Sequence, residues 1–496
     1  MRSSLRLIDR PAVALLAVAV IAAVPRSWHL GSPPVRVFDE VYYAKAGCLF
    51  VGRPPRECGI ETDDERYWVR TKHDVGSWVH PPLGKWAIGL GELLFGVDPF
   101  GWRVAAAVAG TLTAVLTAAV ALLLFGSGRW AFVAGLLVAT EHLSFVQSRV
   151  AMLDVFVASW TVLAFLLLLL DRRWILRRTP LAEELRPAIL GAAREAATLD
   201  ADLPASAGGP RAVRVPSPLL RPWRLATGVA LGAAVATKWS GLTTILAAGL
   251  LSFLWEVERR RGAAVRRPWW RALQQEGFPL VVSFLFVPVV VYVASYAGWF
   301  ARFGFDLGAW LRLQDEMASY HLHLRVTDAS GRPIHPYLSQ AWTWILDRRP
   351  VLYFARYPSE GVRRVIYAMG NPAVFWGSLL AVPYALLAWA RRRDWRAGFV
   401  AVPVLALYLP WFAVSRPQFL FYMTPIVPSL VLALTYGLRD LAEARLAGSR
   451  ARPWLPVAVG FVVLSVGLFV FFWPVLTARP IGQQAWELRS WFPTWV

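Results

Sequence analysis

The chain opens with MRSSLRLIDRPAVALLAVAVIAAVPRS (residues 1–27), in which three arginines precede an apolar run at 11–27. A run of this length, close to 20 residues, is what a helix needs to cross a bilayer. Ala22, Ala23 and Val24 lead into Pro25, which is not a clean small-x-small cleavage site. We therefore expect a retained first membrane span rather than a removed signal peptide.

Ten further apolar runs follow, and the whole chain is 57% hydrophobic with 26 Trp among 496 residues, more apolar than a soluble domain. The eleven runs fall at 11–27, 100–125, 130–147, 151–170, 224–237, 240–257, 279–298, 371–390, 397–414, 418–436 and 454–474. This pattern predicts an all-α polytopic membrane protein with about 11 transmembrane helices. The weakest of the runs are 130–147 and 224–237.

The net charge of +20 does not indicate a nucleic-acid-binding protein, because the arginines lie in short clusters between apolar runs. With the N-terminus in the cytoplasm, alternation puts the dense clusters at 171–222, 259–271, 391–396 and 439–452 on the same side, as the positive-inside rule requires. The segments 28–99 and 299–370 are then outer loops. The preference for Arg over Lys suggests a GC-rich bacterium, so we expect a bacterial plasma membrane protein.

Several ionisable residues lie beside or inside the apolar runs at the predicted outer face. An ionisable side chain at bilayer depth costs about 2.5–3.5 kcal/mol on insertion scales, so each calls for an explanation. These residues are Asp39, Glu40, His80, Lys85, Arg149, Asp154, Lys238, His321, His323 and Arg416. Because they come from distant parts of the chain, the topology predicts a site assembled from outer loops on a helical scaffold.

The stretch RVFDEVYYAKAG (residues 36–47) contributes two adjacent carboxylates to this site. Asp39 and Glu40 could form a general base with an acidic neighbour. They could equally be helix-terminal carboxylates stabilised by the helix dipole.

The basic residues leave similar alternatives open. Arg149 suits a phosphate through its planar donors, or a structural pair with Asp154. Lys238, in a chain that mostly uses Arg, suits a point-charge role or snorkelling to the interface. Arg416 suits a second phosphate contact or an interfacial anchor.

Two histidine-containing segments complete the set. HPPLGKW (residues 80–86) brings His80 and Lys85, and SYHLHLRVTD with HPYLSQ brings His321, His323 and His335. The spacing of His321 and His323 suits an extended segment. A metal site would need further ligands, so we expect substrate contacts or loop structure instead.

The chain has two cysteines, Cys48 and Cys58, both in the first outer loop. A local disulfide and two free thiols are both compatible with that location.

A Walker loop and a dinucleotide-binding glycine pattern are both missing from the sequence, which argues against direct use of a cytoplasmic nucleotide. An outward-facing enzyme would instead need a membrane-carried donor. Cations near the lipid interface suit a lipid-linked phosphate.

Six motifs together resemble the protein O-mannosyltransferases of the glycosyltransferase C superfamily. They are FDEVYYAK, HPPLGKW, SRVAMLD, TKWSGL, HPYLSQAWTWILDRRPVLY and GNPAVFW, spread over residues 36–425. The chain is most similar to the actinobacterial branch, which lacks the extra carbohydrate-binding-like domain of eukaryotic members. The resemblance implies a catalytic membrane domain at 1–436 with outer loops 28–99 and 299–370. It is joined by a partly disordered cytoplasmic loop at 171–222 and a C-terminal part at 437–496 with the last span and a short outer tail.

The same resemblance implies an inverting transfer of mannose from polyprenyl-phosphate-mannose to Ser or Thr hydroxyls of secreted or membrane proteins. Asp39 would be the base and Glu40 its partner, and Arg149 would bind the donor phosphate, with Lys238 at a matching family position. Arg416 is assigned to the same phosphate from its location at the outer end of a span and not from the resemblance. His80, Lys85, Asp154, His321 and His335 would contact substrate. No metal cofactor would be required, and the partners would be the lipid donor, secreted polypeptides, membrane lipids and a secretion translocon.

Two other classes of function remain open at this point. A related transferase could move another sugar from a polyprenyl phosphate to a lipid or a glycan. A transporter could also have eleven spans, but its charges would gather near the midplane rather than at one face.

Overall fold

A computed structural model describes residues 9–61, 78–178, 217–263, 265–446 and 451–495. The loop predicted to be disordered lies mostly outside these residues. Within them the chain is helical with one small sheet. The longer helices are α1 (Pro11–Ser27), α2 (Glu40–Phe50), α3 (Leu83–Phe95), α4 (Pro99–Phe125), α5 (Gly128–Ala139), α6 (His142–Gln147), α7 (Leu153–Arg178), α8 (Pro222–Thr237), α9 (Leu242–Gly262), α10 (Pro268–Val281), α11 (Val287–Ser295), α12 (Ala297–Phe303), α13 (Leu307–His323), α14 (Pro372–Arg392), α15 (Trp395–Tyr408), α16 (Val427–Glu443), α17 (Leu455–Leu476) and α18 (Gln483–Glu487).

The helical membrane architecture predicted from the sequence is confirmed, but the number of eleven spans is not. Among the described residues, seven helices are long and apolar enough to cross a membrane, and α1 and α5 are shorter apolar helices. Three of the seven include a turn that is not α-helical. A 3-10 turn at Trp239–Gly241 leads into α9, a π-helical turn at Val282–Phe286 joins α10 to α11, and a 3-10 turn at Leu409–Ala413 follows α15.

Two apolar runs do not form one continuous span. The run at 130–147 is divided into α5 and α6 at Thr140 and Glu141, where the Glu141 carboxylate accepts the amides of Leu143 and Ser144 and so caps α6. In the run at 418–436 the α-helix starts only at Val427. The expected boundary at 436 falls inside α16.

A three-stranded antiparallel sheet lies in the predicted outer loop and was not expected. The hairpin β1 (Val351–Ser359) and β2 (Val362–Ala368) is joined by β3 (Ile481–Gly482), in the order β1-β2-β3. The chain therefore returns after its last long helix to pair with this loop. In addition, His321 and His323 lie in helix α13 and not in an extended segment, so that prediction was wrong.

A buried ion pair ties the first outer segment to the helical bundle. The Arg103 guanidinium on α4 donates to both carboxylate oxygens of Glu40 at 2.7 and 2.8 Å, and both side chains are fully buried. The remaining Arg103 donors reach the carbonyls of Leu30, Pro33 and Val35. One arginine thus fixes the path of residues 30–40 across the end of α4.

Glu40 also accepts two backbone hydrogen bonds, from Val37 N at 2.7 Å and Ala151 N at 2.9 Å. The second comes from the turn just before α7. A buried carboxylate with four donors is fully satisfied, which is the condition under which a buried charge is tolerated.

A second buried charge cluster joins α7, α8, α9 and α10 at the end of the bundle opposite to the Arg103–Glu40 pair. Arg221 donates to Asp171 and, at 2.7 Å, to Glu256, while Arg224 donates to Glu276 at 2.7 Å. These charges are paired across four helices, so buried ion pairs join helices at both ends of the bundle.

We predict that Glu40→Gln destabilises the protein by about 3–5 kcal/mol, because it leaves the buried Arg103 charge uncompensated. The measurement is thermal or denaturant unfolding of the purified protein in detergent. The matched control is Glu57→Gln, which removes an exposed partner of Arg53 3.8 Å away and should change stability by less than about 1 kcal/mol. Equal effects of the two substitutions would contradict the role assigned to Glu40.

Candidate active site

Asp39 and Glu40 are neighbours in sequence but lie in different environments. Asp39 is the residue immediately before α2, and its carboxylate accepts a long hydrogen bond of 3.4 Å from the Tyr43 hydroxyl one turn later. Among the described residues this is its one hydrogen-bond donor, whereas Glu40 has four. Asp39 is therefore open to a substrate proton, and Glu40 is occupied in holding the fold. This geometry does not support the predicted catalytic role of Glu40, because its carboxylate is fully occupied by four donors.

Lys238 and Asp154 form a buried pair beside Asp39. Helix α8 ends at Thr237 and the backbone turns extended at Lys238, while Asp154 lies in the first turn of α7. The Lys238 ammonium donates to both Asp154 oxygens at 2.9 Å and lies 4.9 Å from the centroid of the Tyr422 ring. Sequence reasoning selected both residues but paired Asp154 with Arg149 instead of Lys238.

The electrostatic environment suits Asp39 to accept a proton near neutral pH. Burial raises the pKa of Asp39 to about 6, the charge of Lys238 lowers it and that of Asp154 raises it. A carboxyl group with this pKa is a carboxylate at pH 7 and a stronger base than an ordinary aspartate.

Arg416 lies at the same site in a fixed orientation. One of its terminal nitrogens donates to Nδ1 of His321 at 2.9 Å, and the other donates to the Tyr422 hydroxyl at 3.3 Å. The Nε of the same guanidinium is buried without a hydrogen-bond partner among the described residues. The guanidinium is thus held in place and retains a free donor.

His321 is the neutral support of this arginine. Its Nε2 is 2.7 Å from the carbonyl oxygen of Val79, and because a carbonyl only accepts, Nε2 carries the proton. Nδ1 is then the acceptor for Arg416. Burial and the charge of Arg416 lower the pKa of His321 to about 4, which keeps it neutral. Both ring nitrogens of His321 are occupied by these contacts, so this geometry does not support the predicted substrate contact.

His80 joins the same group through ring stacking. Its ring centroid lies 5.2 Å from that of His321, and burial holds the pKa of His80 well below its usual value. Its Nδ1 is buried without a hydrogen-bond partner in the described part of the chain. A substrate hydroxyl or phosphate oxygen could satisfy that nitrogen.

Aromatic side chains hold the backbone just before Asp39. Phe38 has a positive φ of 49°, uncommon for a bulky residue and typical of strained functional positions. Its ring stacks on Tyr353 of β1 at 4.3 Å, and the Tyr353 hydroxyl accepts from Gln147 at 2.8 Å. His335 lies edge-on to Phe38 at 6.3 Å, so this predicted substrate residue is at the rim of the cluster.

Tyr353 and Gln147 were not selected from the sequence. Neither is ionisable near pH 7. Gln147 directly precedes the SRVAMLD motif and Tyr353 ends the HPYLSQAWTWILDRRPVLY motif, but neither motif by itself indicates a contact with Phe38. The stacking follows from the hairpin, which sequence periodicity did not predict.

Two predicted basic residues lie differently from what was expected. The Arg149 guanidinium donates to the carbonyls of Pro25, Arg26, Trp28 and His29, where α1 ends, at 2.7 to 3.2 Å. It caps that helix end, and this geometry supports neither a phosphate contact nor a pair with Asp154.

Lys85 is fully buried, with its ammonium 5.3 Å from the centroid of the Phe50 ring between α2 and α3. Its charge reaches His80 and lowers the pKa of that residue. Lys85 therefore influences the candidate site through the effect of its charge on His80.

Cys48 and Cys58 form a disulfide that closes the loop after α2, one of the two states that the sequence left open. In the described ranges, no group of three or more His, Cys, Asp or Glu side chains is arranged to hold a metal ion.

Comparison with known proteins places both halves of the chain in one family. Residues 16–181 match the family model described as dolichyl-phosphate-mannose-protein mannosyltransferase. Residues 307–495 match the C-terminal four-transmembrane region of protein-O-mannosyltransferase.

Full-length relatives agree with this assignment. The polyprenol-phosphate-mannose–protein mannosyltransferase of Mycolicibacterium smegmatis (strain MKD8) is 34% identical over 96% of this chain and 92% of its own. The protein of that name from Mycobacterium tuberculosis (strain CDC 1551 / Oshkosh) is 33% identical over 96% of this chain and 90% of its own.

Solved structures agree on the fold. The S. cerevisiae protein O-mannosyltransferase Pmt1-Pmt2 complex bound to the sugar donor superposes with a TM-score of 0.69 at 14% identity, over 100% of this chain and 94% of that one. ArnT from Cupriavidus metallidurans bound to undecaprenyl phosphate gives 0.52 at 17% identity, over 96% of this chain and 75% of that one.

We predict that Asp39 titrates near pH 6 and that Lys238→Met moves this titration to higher pH, because the lysine charge favours the carboxylate. The measurement is infrared difference spectroscopy of protein with isotope-labelled aspartate, with Asp39→Asn identifying the band. A titration near pH 4 that is insensitive to Lys238 would contradict the described environment.

Proposed function

The chain belongs to the protein O-mannosyltransferase family, and on this basis we propose that it transfers mannose from polyprenyl-phosphate-mannose to Ser or Thr hydroxyls, with Asp39 as the general base. The observation that carries the assignment of the base is the contrast between two adjacent carboxylates. Glu40 is saturated by four donors, whereas Asp39 has one long hydrogen bond and lies close enough to Lys238 for that charge to lower its pKa.

The proposed reaction is a single displacement at C1 of mannose. Asp39 accepts the proton of the acceptor hydroxyl as its oxygen forms a bond to C1. The bond between C1 and the phosphate oxygen breaks, and polyprenyl phosphate leaves with the bonding electrons. The anomeric centre is inverted, so a β-linked donor gives an α-mannoside.

Positive charge at the leaving phosphate is the second requirement of this step. The fixed guanidinium of Arg416 offers its free Nε, and the ammonium of Lys238 lies beside the same Tyr422 ring. Cations that are oriented before the reaction stabilise developing charge without reorganisation. Because these cations can neutralise the leaving group, we propose that the reaction requires no divalent metal.

The location follows from the arrangement of charges along the helices. Asp39, Lys238 and Arg416 share one end of the bundle, and the arginine clusters of 259–271 and 391–396 follow the opposite ends of α9 and α14. By the positive-inside rule, we propose that the site faces outward across a bacterial plasma membrane. Acceptors would then be secreted polypeptides, delivered by a translocon.

The function is tested by incubating membranes with polyprenyl-phosphate-mannose carrying labelled mannose and a Ser/Thr-rich peptide. We predict label in the peptide, insensitivity to a metal chelator, and a loss of at least about 100-fold in Asp39→Asn, because a general base typically contributes that much. In the wild type, kcat/KM should fall as the pH drops below about 6, since the base must be deprotonated.

The matched control is Asp315→Asn, an exposed aspartate on α13 that should leave the rate unchanged. Label found only in lipid or glycan would contradict the proposed acceptor. Transfer that survives in Asp39→Asn would contradict the proposed base.

A further prediction concerns the leaving group. Arg416→Gln should lower kcat by about 100- to 1000-fold, the usual cost of losing one group that stabilises transition-state charge. His321→Ala should cause a smaller loss, which His321→Asn restores in part by accepting from Arg416. The control is Arg325→Gln, at an exposed arginine in the same outer loop as His321. A change in acceptor KM alone would contradict the phosphate role.

A further inference from the structure

Strand β1 has an unpaired edge that leads to the candidate active site. It pairs with β2 on one side, and β2 separates it from β3. On its other side, none of the residues Val351–Ser359 makes a backbone hydrogen bond with another described segment. Such an edge is a template for an additional strand.

The strand runs from the interior of the protein to solvent. Val351 is fully buried and Tyr353 is 5% exposed, whereas Tyr357 is 65% exposed. The register shifts between Leu352 and Phe354, so Tyr353 is the bulged residue. Bulges re-aim side chains next to active sites, and here the Tyr353 ring stacks on Phe38, the residue before Asp39.

Resting on the proposed function, we propose that the acceptor polypeptide binds as a fourth strand along the outer edge of β1, with its hydroxyl residue beside Tyr353. An added strand lies about 4.8 Å from its neighbour. The ring centroids of Tyr353 and Phe38 are 4.3 Å apart and Phe38 directly precedes Asp39, so Tyr353 is the residue of β1 that contacts the segment carrying the proposed base.

The chemistry of this edge suits a polypeptide of variable sequence. Strand addition relies on main-chain hydrogen bonds, which every non-proline residue offers, and so does not require one acceptor motif. Pro358 has no amide hydrogen, which limits the usable edge to about residues 352–357. Arg356 and Arg364 form a cross-strand pair of like charge, so the neighbourhood favours neutral or acidic acceptors.

Cross-linking tests the position of the acceptor directly. Cys48 and Cys58 are the two cysteines of the chain and are joined to each other, so an introduced thiol reacts alone. Tyr357→Cys places a thiol four residues beyond Tyr353. We expect it to form a mixed disulfide with a peptide whose cysteine lies about four residues from the acceptor Thr. The disulfide should form when that cysteine is on one side of the Thr and not when it is on the other. The matched control is Gln484→Cys, exposed and next to β3 at the other edge of the same sheet.

Backbone methylation of the peptide gives an independent readout with the unmodified enzyme. N-methylation at every second residue beside the acceptor Thr should raise KM at least about tenfold with little change in kcat, and the intervening positions should tolerate it. The proposal would be overturned if N-methylation showed no two-residue periodicity, or if Tyr357→Cys and Gln484→Cys cross-linked equally to the peptide. Absence of transfer to the unmethylated peptide would instead overturn the proposed function, so the two failures are distinguishable.

Discussion

The buried ion pair between Arg103 and Glu40 is the interaction on which the rest of the outer structure depends. It joins α4 to the start of α2, to the carbonyls of residues 30–35 and, through Ala151, to the turn before α7. Replacing such a pair by apolar residues can be neutral, but removing one partner leaves a buried charge. Its value here is therefore geometric, since it fixes where Asp39 stands relative to Asp154 and Lys238.

Adjacent residues at a helix start point in different directions, and this separates the two carboxylates by function. Glu40 turns into the bundle and meets Arg103, while Asp39 turns toward Lys238, Asp154 and Tyr43. One carboxylate thus stabilises the fold at full saturation, and the other remains available as a base with a raised pKa. The backbone directly before the two carboxylates is held by the stacking of Phe38, whose φ is 49°, on Tyr353.

Much of this arrangement could be predicted from the sequence, because membrane-length apolar runs and arginine clusters depend on local composition alone. The group Asp39, His80, Asp154, Lys238, His321 and Arg416 was correctly brought to one end of the bundle by topology. The partners within it could not be predicted. Arg149 satisfies carbonyls at a helix end and Asp154 pairs with a lysine 84 residues away, both of which depend on packing between distant segments. The hairpin of β1 and β2 was not predicted from the periodicity of the sequence, and the third strand was not predicted because β3 comes from the far end of the chain.

We propose that Asp39 acts as a base in a single displacement and not as a nucleophile in two. The anomeric configuration of the mannosylated peptide made from a β-linked donor, read by NMR from the one-bond carbon–hydrogen coupling at C1, distinguishes the two reactions. We predict an α-mannoside, because one displacement inverts the centre. A β-mannoside would mean that a carboxylate first forms a covalent bond to the sugar, and would contradict the role proposed for Asp39.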